Sequence, residues 1–194
     1  MRACYDVVAR MGRGAVYLGS ARVPEDHPHF AAARALARDV ATTYDCTTWS
    51  GLGAGMMEAV TRGGMDAGKP VGGFMILLEA GGARQASRKH GLVDAGMREK
   101  ATNRTAFFAL PGGVGTLDEI FEVLALFQLR RVGSAHPVPF ALMNYDGCFD
   151  SLIAFLEKDM VAYGSLREDE LVPHWRACAT NEEAMAYLSE FYEV

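Results

Sequence analysis

Several function classes are excluded by what the sequence lacks. No apolar run approaches the length that crosses a membrane, about 20 residues. The amino-terminal residues have no uninterrupted apolar core of secretory-leader type. A cytoplasmic protein with no membrane partner is the expectation. Cysteine is sparse: Cys4, Cys46, Cys148 and Cys178 are scattered, with no CxxC and no Cys/His ligand spacing. That pattern reads as reduced thiols. Basic charge is short as well, with 19 Lys+Arg against 24 Asp+Glu and a formal net charge of -5. Such a balance argues against a nucleic-acid partner. The chain has no repeat, no low-complexity run and no obvious linker, so residues 1–194 are expected to form one domain with a substantial core.

Two familiar nucleotide motifs are also missing. Gly51-Leu-Gly-Ala-Gly55 is spaced GxGxG rather than GxGxxG and has no obvious ribose-binding acid downstream. Pro111-Gly-Gly-Val-Gly-Thr-Leu-Asp-Glu119 lacks the GK[ST] ending of a Walker loop. The chain nevertheless carries a strong signal in that second stretch. Residues 105–110 form an apolar run of buried-strand type, broken at Pro111-Gly112-Gly113. After Val114-Gly115-Thr116 comes an apolar pattern of helical period reaching about Leu129. A strand feeding a glycine-rich turn and then a helix amino terminus is an anion-binding device, because unpaired amides and the positive dipole end favour a phosphate. Glu119, about one turn into the helix, is close enough to touch whatever the phosphate is attached to.

The remaining elements alternate. A short polar lead precedes a first strand, Ala15–Gly19, which ends at Gly19-Ser20-Ala21-Arg22. Pro28 opens a helix with Phe30, Ala33, Leu36, Ala37 and Val40 on one face. Thr47–Ser50 is a second strand. It is followed by the turn containing Gly51, Gly53 and Gly55, and by a helix from Met56 that stops around Gly63-Gly64. Val71–Leu78 reads as a third strand, covered on both faces. Pro139–Asn144 is a fifth, ending at the turn Tyr145-Asp146-Gly147. A helix over about 149–162, a short edge strand at Arg176–Ala179 and a last helix capped by Asn181 complete the chain. This alternation predicts an α/β fold, a doubly wound parallel sheet with helices on both faces. Ligands then sit beyond the carboxyl ends of the strands, where three of the glycine-bearing turns converge.

Each candidate also has a purely structural explanation. Glu119 and Glu58 would both serve as acids near a helix start, and for Glu58 the two readings weigh evenly. A basic island in this acidic chain, Arg84, Arg88, Lys89, Arg98, Lys100 and Arg104, includes a solvated face in its first three members. Arg98, Lys100 and Arg104 precede the strand of the phosphate loop and are candidates to point at the pocket. His27 and His29 flank Pro28, where they either reach a ligand or remain exposed near the helix start.

The nine residues Pro111–Glu119 resemble the PGGxGTxxE signature of the LOG family, cytokinin riboside 5′-monophosphate phosphoribohydrolases earlier described as possible lysine decarboxylases. Gly19-Ser20-Ala21-Arg22 resembles the family's first loop, and Ser50-Gly-Leu-Gly-Ala-Gly-Met-Met-Glu-Ala59 its GGGxxGxMEA segment. Gln128 and Asn144-Tyr-Asp-Gly147 fall where the family has counterparts, so the resemblance covers roughly residues 14–190. It implies a Rossmann-like fold, a homodimer, no metal and no cofactor. It also implies hydrolysis of a nucleoside 5′-monophosphate to free base and ribose 5-phosphate.

The implied catalytic pair is Glu119 with an arginine from an upstream MxxRK segment. Met97-Arg-Glu-Lys100 departs from that segment, and its spacing to the phosphate loop is shorter by roughly one helical turn, about 3.6 residues. Arg98 is the first candidate, Arg104 its competitor, and Lys100 matches the lysine. Ala54 stands where proline is frequent, and Glu79–Arg84 replaces an acidic, proline-containing loop. The phosphate would rest on the Gly112, Gly113, Val114, Gly115 and Thr116 amides, with Gly19, Ser20, Gly51, Gly53, Gly55 and Glu58 lining the site. The alternative is a nucleotide or phosphorylated-cofactor carrier of the same fold without hydrolase activity. Nothing in the sequence resembles a pyridoxal-phosphate lysine site.

Overall fold

A computed structural model describes residues 2–74, 92–97, 103–132, 136–171 and 175–193. Six strands carry the fold: β1 Gly14–Leu18, β2 Thr47–Ser50, β3 Val71–Gly73, β4 Ala106–Ala109, β5 Phe140–Met143 and β6 Trp175–Cys178. They pair in the order β3-β2-β1-β4-β5-β6, and every pairing is parallel. The expected α/β class and doubly wound sheet are what the chain adopts.

Side chains alternate along each strand, so the sheet feeds two apolar layers. Ala15, Tyr17, Phe108, Leu110, Ala141 and Met143 face one side, and Val16, Leu18, Phe107, Ala109, Phe140 and Leu142 face the other. The first layer is closed by α2 Pro28–Tyr44, α3 Met56–Asp66 and the last helix, Asn181–Tyr192. The second is closed by α1 Arg2–Met11, by the short α4 at residues 92–96, by α5 Val114–Gln128 and by α6 from Asp150. The central strands β1, β4 and β5 are buried throughout, which is why they read as unbroken apolar runs rather than as alternating ones.

Four expectations need correction. The polar lead is a helix, α1: Cys4, Val7, Val8 and Met11 fall at helical spacing, and Val8 is buried against the sheet. The helix from Met56 does not stop at Gly63-Gly64 but runs to Asp66. Both glycines are there for packing. A Cβ on Gly63 would stand 2.2 Å from the Arg34 carbonyl oxygen of α2, and one on Gly64 would stand 2.7 Å from Thr48 Oγ1 of β2.

Asn181 is not the cap of the last helix. Thr180 is, accepting the Glu183 amide at 3.2 Å. Asn181 instead accepts the Tyr145 hydroxyl at 2.5 Å and donates to the Ala32 carbonyl at 2.9 Å. The helix expected over 149–162 contains a π turn, Phe155–Met160, between Asp150–Ala154 and Val161–Tyr163. Of the third strand, Val71–Gly73 is present, while residues 75–78 lie outside the described residues.

Because Gly63 lets α2 and α3 touch backbone to backbone, Gly63→Ala is expected to destabilise the protein by about 1–3 kcal/mol through overpacking. Urea unfolding read by circular dichroism measures this. A loss within about 0.5 kcal/mol would show that the helices part without cost.

Candidate functional site

Strand order reverses beside β1, which pairs with β2 on one side and β4 on the other. Ligands of open parallel sheets bind in the crevice outside the carboxyl ends of the strands at such a reversal. The loops after β1, β2 and β4 meet there through main-chain atoms of one residue. The Ser20 amide donates to the Pro111 carbonyl at 3.3 Å, and the Ser20 carbonyl accepts the Met56 amide at 2.9 Å. Gly55, at φ 64°, completes the join: a Cβ there would lie 2.5 Å from the Ser20 carbonyl oxygen. Gly19 is equally confined, 2.8 Å from Met56 Cβ by the same measure. The Ser20 hydroxyl oxygen accepts the Arg22 amide at 3.0 Å and shapes the first loop.

The loop after β4 opens α5. Residues Gly112–Gly115 are exposed, and Val114 is 84% exposed. Gly113 occupies the N-cap position and offers no side chain to the first-turn amides. The starts of α2 and the last helix differ, because His27 and Thr180 cap them. The first intrahelical donor of α5 is the Leu117 amide, bonded to the Gly113 carbonyl at 3.0 Å. The preceding amides face the crevice as a positive helix end. The three glycines divide in role. A Cβ on Gly112 would collide with buried Thr116, 2.2 Å from its Oγ1, whereas Gly113 and Gly115 have nothing within 4 Å. Packing accounts for Gly112 only; the other two border open space.

Glu119 lies in the second turn of α5, not the first, so it does not complement the helix dipole there. Its side chain is 8% exposed. It borders a small cavity with Leu18, the last residue of β1, and with Leu92, Val93 and Phe107. The Glu119 carboxylate thus borders an otherwise apolar cavity at the end of β1 together with a second acid, Glu122.

Other expected site residues are dispersed. Glu58 accepts Arg62 Nη2 at 2.6 Å. Arg62 in turn pairs with Glu25 of the first loop and lies 5.5 Å over the Phe30 ring. Glu58 therefore belongs to a surface network that fastens the first loop to α3. Gly51 and Gly53 flank Leu52, whose φ of 52° is stabilised by its amide donating to Ser50 Oγ at 3.1 Å. Gln128, at the end of α5, donates to Glu170 at 3.1 Å.

Arg104 precedes β4 and so sits at the amino edge of the sheet. About 13 Å of strand separates it from the Pro111 loop, which it does not join. Arg98 and Lys100 lie outside the described residues, immediately after Met97, as do Arg84, Arg88 and Lys89.

One juxtaposition had no sequence signal. His29 Nε2 meets Asp146 Oδ2 at 2.8 Å, across 117 positions. The turn after β5 is thereby pinned to the start of α2. Cys148 in that turn is exposed, but partial burial, reinforced by Asp146 and Asp150, pushes its thiol up to about 11. The thiolate form is thereby disfavoured at neutral pH.

The split among the glycines has a direct test. Gly112→Ala should cost about 1–3 kcal/mol through the Thr116 clash. Gly115→Ala should be neutral or should stabilise by about 0.5–1 kcal/mol, as alanine does inside a helix. Parallel thermal and urea unfolding compares the two; equal losses would mean that Gly115 is also a packing residue.

Comparison with known proteins agrees with this geometry. The family model described as "Possible lysine decarboxylase" matches residues 57–188. A probable cytokinin riboside 5′-monophosphate phosphoribohydrolase of Oryza sativa subsp. japonica is 50% identical over 60 residues, 31% of this chain and 23% of that protein. One of Arabidopsis thaliana is 34% identical over 116 residues, 57% of this chain and 55% of that protein. The chain thus spans about a quarter of the first relative and about half of the second. Among solved structures, TM1055, a structural-genomics target, superposes with a TM-score of 0.64 at 19% identity, over 92% of this chain and 99% of that one. The molybdenum cofactor carrier protein of Chlamydomonas reinhardtii gives 0.57 at 15%, over 94% and 100%. At such identities these two likenesses concern the fold alone. With the signature Pro111–Glu119 opening α5 and the family model spanning residues 57–188, the chain belongs to the LOG family, the possible lysine decarboxylases.

Proposed function

We propose that the chain is a hydrolase that cleaves the N-glycosidic bond of a nucleoside 5′-monophosphate, releasing the base and ribose 5-phosphate. The observation that carries the reading is the bare amino terminus of α5 at the strand-order reversal, with the buried Glu119 carboxylate one turn further on. The amides at Gly113–Thr116 hold the 5′-phosphate, and its binding energy orients the sugar. Cleavage passes through a sugar with oxocarbenium character, as in glycoside hydrolysis generally. The Glu119 carboxylate stabilises that growing positive charge through the ribose hydroxyls. A cation beside the departing base offsets the charge it gains. Arg98 is the proposed group, with Lys100 beside it in the same segment. Supporting this reading are the LOG-family membership and relatives named as phosphoribohydrolases. Lysine decarboxylation has less support, since neither described lysine, Lys69 or Lys158, belongs to the three loops.

Nucleoside monophosphates should be cleaved on the order of a thousandfold better than the matching nucleosides, by kcat/KM. Glu119→Gln should lower kcat by about a hundred- to a thousandfold while leaving binding of a nucleoside monophosphate nearly intact. Chromatography of released base from a nucleotide panel, with calorimetry for binding, checks both. Equal rates on AMP and adenosine would remove the phosphate anchor from the mechanism. Tight binding with no base released would favour the carrier alternative.

We also infer a homodimer. Ile120, Val123, Leu124 and Phe127 of α5 are occupied by the chain's own core, but Phe121 and Leu129, with Phe155 and Tyr163 of α6, remain exposed. A second copy would cover them. Leu129→Glu is expected to shift a dimer toward monomer in light scattering; a wild-type monomer at all concentrations would refute the interface.

A further inference from the structure

Helix α4, residues 92–96, is too short to hold as a helix in water, so its tertiary contacts must place it. None of its residues is exposed. Leu92 and Ala95 enter the core beneath the sheet. A Cβ on Gly96 would stand 2.3 Å from Phe107 Cζ, so the helix backbone lies directly on that ring. Val93 joins Leu92 in walling the cavity that Glu119 and Glu122 border.

The one charged residue of α4 does not face water. Asp94 is 5% exposed and accepts from Arg13 Nη2 at 3.0 Å, across 81 positions. Arg13 leaves a fixed corner. Gly12 before it has φ 83°, its amide donates to the Val8 carbonyl at 2.8 Å, and its carbonyl accepts Trp49 Nε1 at 3.0 Å. Thr47 Oγ1 donates to the Met11 carbonyl at 2.6 Å. A buried ion pair adds little net stability over an apolar pair of the same volume, because desolvating both charges offsets their attraction. What it supplies is direction: a guanidinium and a carboxylate bond at set angles, whereas apolar side chains slide. In a helix of two aliphatic residues, an alanine and a glycine, that directional contact sets the register of Leu92 and Val93 beside Glu119.

We infer that Asp94 is a positioning residue for Glu119, acting through α4. Its kinetic consequence rests on the hydrolase reading; its structural consequence rests on geometry alone. Pinned by Arg13, α4 keeps Leu92 and Val93 against the Glu119 cavity and water away from that wall. A carboxylate in such a water-poor setting stabilises growing positive charge on the sugar more strongly than it does in bulk water. Released, α4 admits water and the carboxylate loses its alignment. The amides opening α5 belong to a different loop, so binding of the 5′-phosphate is spared.

The test compares the wild-type chain with Asp94→Asn and with the paired variant Arg13→Met/Asp94→Leu, which exchanges both charges for apolar bulk. Asp94→Asn should lower kcat by about ten- to a hundredfold, the scale of a displaced catalytic group, with KM little changed. Gly63→Ala, destabilised away from the site, should keep its kcat and controls for lost stability. The paired variant discriminates: its urea midpoint should return to that of the wild type while kcat stays low. A pair that served stability alone would give kcat back with the stability. Independently of turnover, the ¹³C carboxyl resonance of Glu119, identified by its loss in Glu119→Gln, should move in both variants toward that of a solvated glutamate. Unchanged kcat in Asp94→Asn, recovered kcat in the paired variant, or a Glu119 resonance unmoved by either change would each overturn the inference. If the wild-type chain releases no base from any nucleotide, the hydrolase reading fails and the resonance alone decides the role of Asp94.

Discussion

Strand β1 is the constraint on which the molecule rests. It is the first strand in sequence yet central in space, paired with β2 on one side and β4 on the other. All other strands join in parallel, so every loop that leaves a strand reaches the same edge and every segment that enters one reaches the opposite edge. The reversal of order at β1 opens the crevice, and the Pro111 loop and α5 stand immediately across it. A parallel sheet must also be covered on both faces. The same helices that position the loops, α3 and α5, are therefore also the ones that close the two core layers. Site and core cannot be separated in this architecture.

Most of the framework was legible because buried parallel strands and the turns between them leave strong signals. Thr47–Ser50 and the start of α2 at Pro28 agree to the residue. The failures have physical causes. Gly63 and Gly64 read as a helix stop because intrinsic propensity is a local quantity. The contact with Arg34 and Thr48 that requires their small size is a tertiary one. The α1 pattern Cys4, Val7, Val8, Met11 was visible in the sequence but diluted by Arg2, Asp6 and Arg10. Thr180 and Asn181 are both good caps by composition, and only the partners Tyr145 and Ala32 decide between them.

At the site, the glycine turn between β4 and α5 followed from the strand–turn–helix pattern, whereas the burial of Glu119 in the second turn of α5 did not. Nor did the amino-edge place of Arg104, because nearness in sequence to the glycine turn says nothing about which end of a strand a residue occupies. Arg104 enters β4, whereas Pro111 leaves it. The His29–Asp146 pair was beyond reach for a different reason: its members belong to segments joined only through the folded sheet. Arg62 belongs with them. Its ties to Glu25 and Glu58 turn what reads as a helix-start acid into a fastening for the first loop.

The junction at Ser20 has an evolutionary consequence. Three loops from three strands are fixed to one another by the amide and carbonyl of one residue, with Gly55 lying against the same carbonyl oxygen. None of those atoms varies when a side chain changes. Substitutions that alter what the loops display can therefore accumulate one at a time without dismantling the crevice. Gly55 is different, since its left-handed conformation and its closeness to Ser20 leave no room for a Cβ. A scaffold built this way can drift between ligands while its geometry is inherited intact.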